Sequence, residues 1–108
     1  MKWRRGTVNP DIRGKDRSET ATPCLLNHDG TLAVHRYGPT SKHWQVTHVL
    51  SGLGVTANLS FNKRGDAKAY AVDLHALSPE LWLKERPDFS AIGERWRTEI
   101  KPKYKHCG

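Results

Sequence analysis

The sequence predicts an α+β fold: an antiparallel sheet of three to four strands packed against one main helix, with short C-terminal helices and a mobile basic N-terminal arm. Three observations carry that expectation. Strand-like segments come first in the chain and helix-like segments later, the order of α+β proteins. The links between strand segments are of hairpin length, too short for the crossovers that parallel strands need. Finally, an alternating run at residues 53–61 gives way to apolar positions spaced by three and four, so the period changes from strand to helix.

The elements follow in order. Residues 9–22 hold Asn9-Pro10, Gly14 and the run Lys15-Asp16-Arg17-Ser18-Glu19-Thr20 without apolar period, so residues 1–22 read as a basic, weakly ordered arm. Pro23 to Tyr37 reads as a hairpin, because Cys24-Leu25-Leu26 and Thr31-Leu32-Ala33-Val34-His35 flank Asn27-His28-Asp29-Gly30. Asp-Gly supplies the positive φ angles of a tight turn. Gly38-Pro39-Thr40 breaks the chain, Trp44 to Leu50 forms a strand, and Ser51-Gly52 turns it back. Leu53, Val55, Ala57, Leu59 and Phe61 then alternate with Gly54, Thr56, Asn58 and Ser60, which predicts one buried and one wet face.

Ala67, Tyr70, Ala71, Leu74 and Leu77 form the stripe of an amphipathic helix, with Asn62 or Asp66 as its cap. Ser78-Pro79-Glu80 starts a short helix that stops before Pro87. A last helix from about Ser90 to Ile100 places Ile92, Trp96 and Ile100 on one side. A single domain over residues 23–100 and a basic tail at 101–108 complete the organisation.

Composition divides the chain the same way. Residues 24–83 hold 16 of its 21 Leu, Ile, Val and Phe residues, so burial belongs to the centre and not to the ends. The formal net charge of +7 divides as +3 over residues 1–22, +2 over 23–78 and +2 over 79–108. No apolar run reaches the length of a membrane span. Met1-Lys2-Trp3-Arg4-Arg5 is basic but has no apolar run behind it, so no secretory leader is expected. Two cysteines without an export signal read as reduced thiols of a cytoplasmic protein, rather than a Cys24–Cys107 disulfide.

Six histidines invite an enzyme reading: His28, His35, His43, His48, His75 and His106. Asn27-His28-Asp29 puts an imidazole beside a carboxylate, but neighbouring side chains on a tight turn point apart, and the turn alone explains them. His48 shares a strand face with Trp44 and Val46 and reads as a partly buried, hydrogen-bonded residue; His75 reads as exposed. Cys24 with His28, and His106 with Cys107, are ligands by type, yet no C-x-x-C pair supports zinc. No phosphate-binding loop, dinucleotide fingerprint or nucleophile elbow is present. Neither metal nor cofactor is expected, nor enzymatic activity.

The basic ends interleave cations with flat rings: Trp3, Arg4 and Arg5 at one end, Arg95, Trp96, Arg97, Lys101 and Lys103 at the other. Cations neutralise phosphates and release counterions, while rings stack on bases. Lys63, Arg64 and Lys68 add charge to the main helix.

The segment from Trp44-Gln45-Val46-Thr47-His48 to Leu77 has a Trp-led strand, a Gly turn and a strand ending in Ser60-Phe61. A helix then opens with Ala67-Lys68-Ala69-Tyr70-Ala71. Over residues 24–77 this resembles the three-stranded-sheet-plus-helix DNA-binding modules of the plant ethylene-response-factor type and of tyrosine-integrase arm-binding domains. The spacing of Phe61 and Ala67 carries the resemblance. The general character is similar to small accessory proteins of phages and mobile elements. Those modules read the major groove with the sheet face away from the helix. Here that face would present Gln45, Thr47, Gly54, Thr56, Asn58 and Ser60, without Arg or Lys, so the arms and helix carry the expected phosphate contacts.

The sequence therefore predicts a small non-enzymatic binding protein contacting nucleic acid, DNA ahead of RNA, through Trp3, Arg4, Arg5, Lys63, Arg64, Lys68, Arg95, Trp96, Arg97, Lys101 and Lys103. The alternative is a phage-type inhibitor or adaptor whose partner is an acidic host protein. A third reading is a small metal-dependent nuclease using His28, His35 or His48. No membrane partner is expected.

Overall fold

A computed structural model of the chain describes residues 3–8, 22–36, 42–56, 59, 61–85 and 87–104. Most of the expected arm (residues 9–21), the Gly38-Pro39-Thr40 break, Asn58, Ser60, and the tail with Lys105, His106 and Cys107 lie outside them. The fold is α+β. Four antiparallel strands lie in the order of the chain: β1 (Arg4–Val8), β2 (Thr22–Leu26), β3 (Leu32–Arg36) and β4 (Trp44–His48). The main helix, α1 (Arg64–Leu77), packs on β3 and β4. A 3-10 turn at Leu81–Leu83 follows. The last helical stretch is α2 (Ser90–Arg95), a π-helical turn at Trp96–Ile100 and α3 (Lys101–Tyr104).

The hairpin forms as the sequence requires. Gly30 has φ 72°, a conformation costly for residues with a Cβ, and its N–H closes the turn on the Asn27 carbonyl at 3.1 Å. The buried Asn27 side chain reinforces it, donating to Thr31 Oγ1 and accepting from the Leu32 N–H, both at 3.1 Å. The register sets Leu25 opposite Val34, and Val34 opposite Val46. Alternation then places Leu32, Val34 and Val46 under α1, where they pack with Phe61, Ala67, Tyr70, Ala71, Leu74 and Leu77. The predicted apolar stripe of α1 is thus buried throughout. The helix is capped neither by Asn62 nor by Asp66: Lys63 occupies the N-cap without a side-chain bond.

Further expectations change. Residues 4–8, assigned from sequence to the arm, form the edge strand β1, paired with β2 from Arg4↔Leu26 to Val8↔Thr22. Among the described residues of the cleanest alternating run, 53–61, there is no continuous strand, and the pairings with β4 are the isolated bridges Thr47↔Gly54 and Trp44↔Phe61. Val55 N–H reaches the Val46 carbonyl, and Trp44 N–H reaches the Phe61 carbonyl. Six steps along one chain therefore oppose two along the other, so the two segments do not stay in register. Alternation fails with it: Leu53 is 42% exposed, whereas Thr56, expected on the wet face, is 6% exposed.

The expected polar sheet face is also buried at its centre. Thr47 and Ala33 are fully enclosed there, with His35 beside them and Val8 and Cys24 packed on Ala33. Cys24 is a free thiol, and burial raises its pKa. The π-helical turn ends two residues before Pro102, which lacks an N–H and whose ring would clash with the carbonyl four residues back; widening the preceding turn relieves that conflict.

Candidate functional site

The residues predicted to meet nucleic acid fall into two groups. The first joins β1 to α1. Lys68 holds its ammonium 5.5 Å from the centroid of the Trp3 ring, within cation–π range. Trp3 is half-buried against the main core, so it fixes Lys68 in place and is not a free stacking platform. Arg5 lies opposite Leu25, on the same side of β1 as Trp3. Arg64 precedes Lys68 by one helical turn and shares its face. Arg4 points to the other side, where a Cβ on Gly30 would come within 2.9 Å of its guanidinium. Arg4, Arg5, Lys63 and Arg64 are exposed, and none of them, nor Lys68, is ion-paired among the described residues.

The C-terminal group is largely engaged within the fold. Arg95 donates from Nε to Glu99 Oε2 and from a terminal nitrogen to the Leu77 carbonyl, each at 2.8 Å, closing the end of α1. Its pKa is raised by the Glu99 hydrogen bond and charge. Lys103 donates to Asp73 Oδ2 at 2.7 Å. Trp96 donates its indole N–H to the Tyr70 hydroxyl at 2.8 Å, and that hydroxyl donates to the Val55 carbonyl. Arg97 and Lys101 remain exposed at a cavity of ≈ 360 Å³ walled by Trp82, Phe89, Ile92 and Trp96.

Histidines separate into locked and clustered ones. His35 gives its Nδ1 proton to the Arg36 carbonyl at 2.8 Å, which leaves Nε2 to accept from the Thr47 hydroxyl at 2.6 Å. Burial lowers its pKa against the opposing pull of that carbonyl. His48 gives Nε2–H to the Trp82 carbonyl at 2.8 Å and accepts from Ser51 Oγ at 2.7 Å, as its strand position foretold. Neither ring has a nitrogen left for a substrate.

His75 corrects the sequence reading. It is 7% exposed and donates from Nε2 to Asp29 Oδ2 at 2.7 Å. The His28 ring stands edge-on to His75, 5.1 Å between centroids and 73° apart. Asp29 Oδ1 accepts from the Thr31 hydroxyl at 2.6 Å and from the Thr31 N–H at 3.2 Å. Burial opposes ionisation of Asp29, but the bonds from Thr31 and His75 outweigh it and hold the carboxyl below its ordinary range. The expectation that the turn sends His28 and Asp29 apart is also corrected: α1 brings His75 to both, and one donor atom from each of the three lies within 4.8 Å of the others. No local pattern could reveal this, because the pair spans 46 positions.

Comparison with protein-family models, with curated proteins and with solved structures gives no match. Among the described residues no helix is long and apolar enough to cross a membrane.

Proposed function

We propose that this protein binds nucleic acid through the phosphate backbone, along the surface shared by β1 and the N-terminal half of α1. The supporting observation is the Lys68–Trp3 contact, which joins two predicted segments separated by more than sixty residues. Arg5, Lys63, Arg64 and Lys68 supply the charge, while Arg4 lies on the opposite side of β1 beside Gly30. Lys63 and Arg64 sit at the positive end of the α1 dipole, where a cation is locally disfavoured by roughly 0.3–1 kcal/mol. A bound phosphate reverses that penalty, since helix N-termini and cations both attract anions. The polar sheet face takes no part: Thr47 and Thr56 are buried. Contact is therefore to the backbone and insensitive to sequence, with duplex DNA the first substrate to test.

Fluorescence anisotropy on a labelled duplex, titrated from about 50 to 200 mM salt, measures this directly. Affinity is expected to fall steeply with salt. The triple variant Arg5→Ala, Arg64→Ala, Lys68→Ala is expected to flatten the slope of log K against log salt by up to about 3, one for each cation contacting phosphate. Arg95→Ala, whose guanidinium serves Glu99 and Leu77, leaves it unchanged. Absence of binding at about 50 mM salt, or a slope untouched by the triple variant, refutes the proposal. A nuclease-resistant acidic protein captured by the same cations would replace it.

A further inference from the structure

Outside the basic surface, one cluster has the composition of a metal site. His28 and Asp29 occupy the β2–β3 turn, and His75 lies on α1; one donor atom from each falls within 4.8 Å of the others. Two imidazoles and a carboxylate are the donor set of borderline transition ions, zinc foremost, and not of magnesium or calcium, which take oxygen.

The surroundings of the cluster are organised as those of metal ligands are. The two oxygens of Asp29 divide their work: Thr31 holds Oδ1 twice over, and Oδ2 faces His75. Such outer hydrogen bonds orient a ligating carboxylate. The turn that carries Asp29 and His28 is itself fixed by the buried Asn27 side chain, and His75 rides on a helix of 14 residues. Both halves are rigid before any ion arrives. Conversion needs little movement. A proton now lies between His75 Nε2 and Asp29 Oδ2, 2.7 Å apart. Two ligands about 2.0 Å from a tetrahedral zinc stand about 3.3 Å apart, so an opening of about 0.6 Å admits the ion. His28 is exposed and swings without disturbing the core.

We infer that His28, Asp29 and His75 form a zinc-class binding site that staples the β2–β3 turn to α1, with the remaining coordination position open to water. On binding, the ion exchanges three of its water ligands for one donor each from His28, Asp29 and His75; the His75 ring stays neutral by carrying its proton on Nδ1 instead of Nε2, and the His75–Asp29 hydrogen bond gives way to the two metal–ligand bonds. The site is independent of the basic surface.

The test uses the full chain with Zn2+ as the ligand, followed by isothermal titration and by thermal melting. One ion per chain and a rise in Tm are expected. With Co2+ in its place, four-coordinate d–d absorption bands are expected. His28→Ala is the decisive variant because His28 is exposed: the fold should persist while zinc affinity falls at least about tenfold and the cobalt bands vanish. Asp29→Asn should weaken binding similarly. The double variant His106→Ala, Cys107→Ala should bind as the unaltered chain does. Failure to bind zinc at about 100 μM, or wild-type affinity in a folded His28→Ala protein, overturns the inference.

Discussion

Replacing Tyr70 with Phe tests how the helices are tied to the sheet. The ring is fully buried between Phe61, 5.1 Å away by centroid, and Tyr104 at 5.4 Å, so Phe fills the same space. Only the hydroxyl is lost, and with it two hydrogen bonds: one received from Trp96 Nε1, one given to the Val55 carbonyl. Each bond contributes about 0.5–1.5 kcal/mol net, giving about 1–3 kcal/mol together. Trp96 and Val55 are both half-buried, so water partly re-satisfies them and about 2 kcal/mol is expected. For a chain of this length that lowers Tm by roughly 8 °C.

Urea denaturation of Tyr70→Phe, Trp96→Phe and the double variant should give a coupling energy of about 1 kcal/mol for the shared bond. Alkaline titration supplies a second reading. Burial raises the Tyr70 pKa, against the opposing Trp96 bond, from 10.0 to about 12. A raised folded-state pKa means the hydroxyl's contribution is intact below pH 10 and disappears as pH climbs toward 12, a loss the Phe variant lacks. Tyr70→Phe within about 0.5 kcal/mol of the parent would refute this account of the tie. So would a fall in DNA affinity for Trp96→Phe without a fall in stability, since Trp96 would then be a stacking residue.

Two further perturbations probe the sheet and the C-terminal helix. Thr47→Val leaves buried His35 Nε2 without its partner and should cost about 1–3 kcal/mol by denaturant titration. Because burial depresses the His35 pKa, the unfolded chain takes up its proton first, so stability should fall as pH drops below 6.5, and flat stability from neutrality to below the folded-state pKa would refute this. Asp73→Asn should cost no more than about 1 kcal/mol at neutral pH, since its Lys103 partner is 61% exposed and water screens the pair. Burial disfavours the Asp73 carboxylate, but Lys103 and Tyr104 together lower its pKa. Its contribution is therefore present above the ordinary carboxylate range and lost as acid protonates it; a variant whose deficit persists at low pH argues against the pair.

Legibility of the candidate residues follows the range of the interaction. That Lys63, Arg64 and Lys68 share the start of a helix could be read directly, because helical spacing is local. That Arg95 and Lys103 serve Glu99 and Asp73 could not be read from clustered charge, which says nothing of which acid the fold brings near. The burial of His75 is hidden from the sequence for the same reason. Its stripe position beside Leu74 suggested the exposed side, yet the turn closes over it and supplies Asp29. A histidine at the margin of an apolar stripe, in a chain with an acidic hairpin turn elsewhere, is the only signal that could have pointed there.

The sequence by itself determined what neighbours within a few residues decide. Asp29-Gly30 made the hairpin because only a permissive backbone turns so tightly, and the three-and-four spacing from Ala67 to Leu77 made α1 because one face had to be buried. Tertiary structure decided what depends on distant pairing. β1 gained its strand from hydrogen bonds to β2, not from any apolar pattern of its own. Residues 53–61 had the best strand pattern in the chain but meet β4 out of step, and a period of two cannot survive six positions facing two. Alternation records what a segment could bury. Whether it becomes a strand depends on a partner in register, and that partner lies elsewhere in the chain.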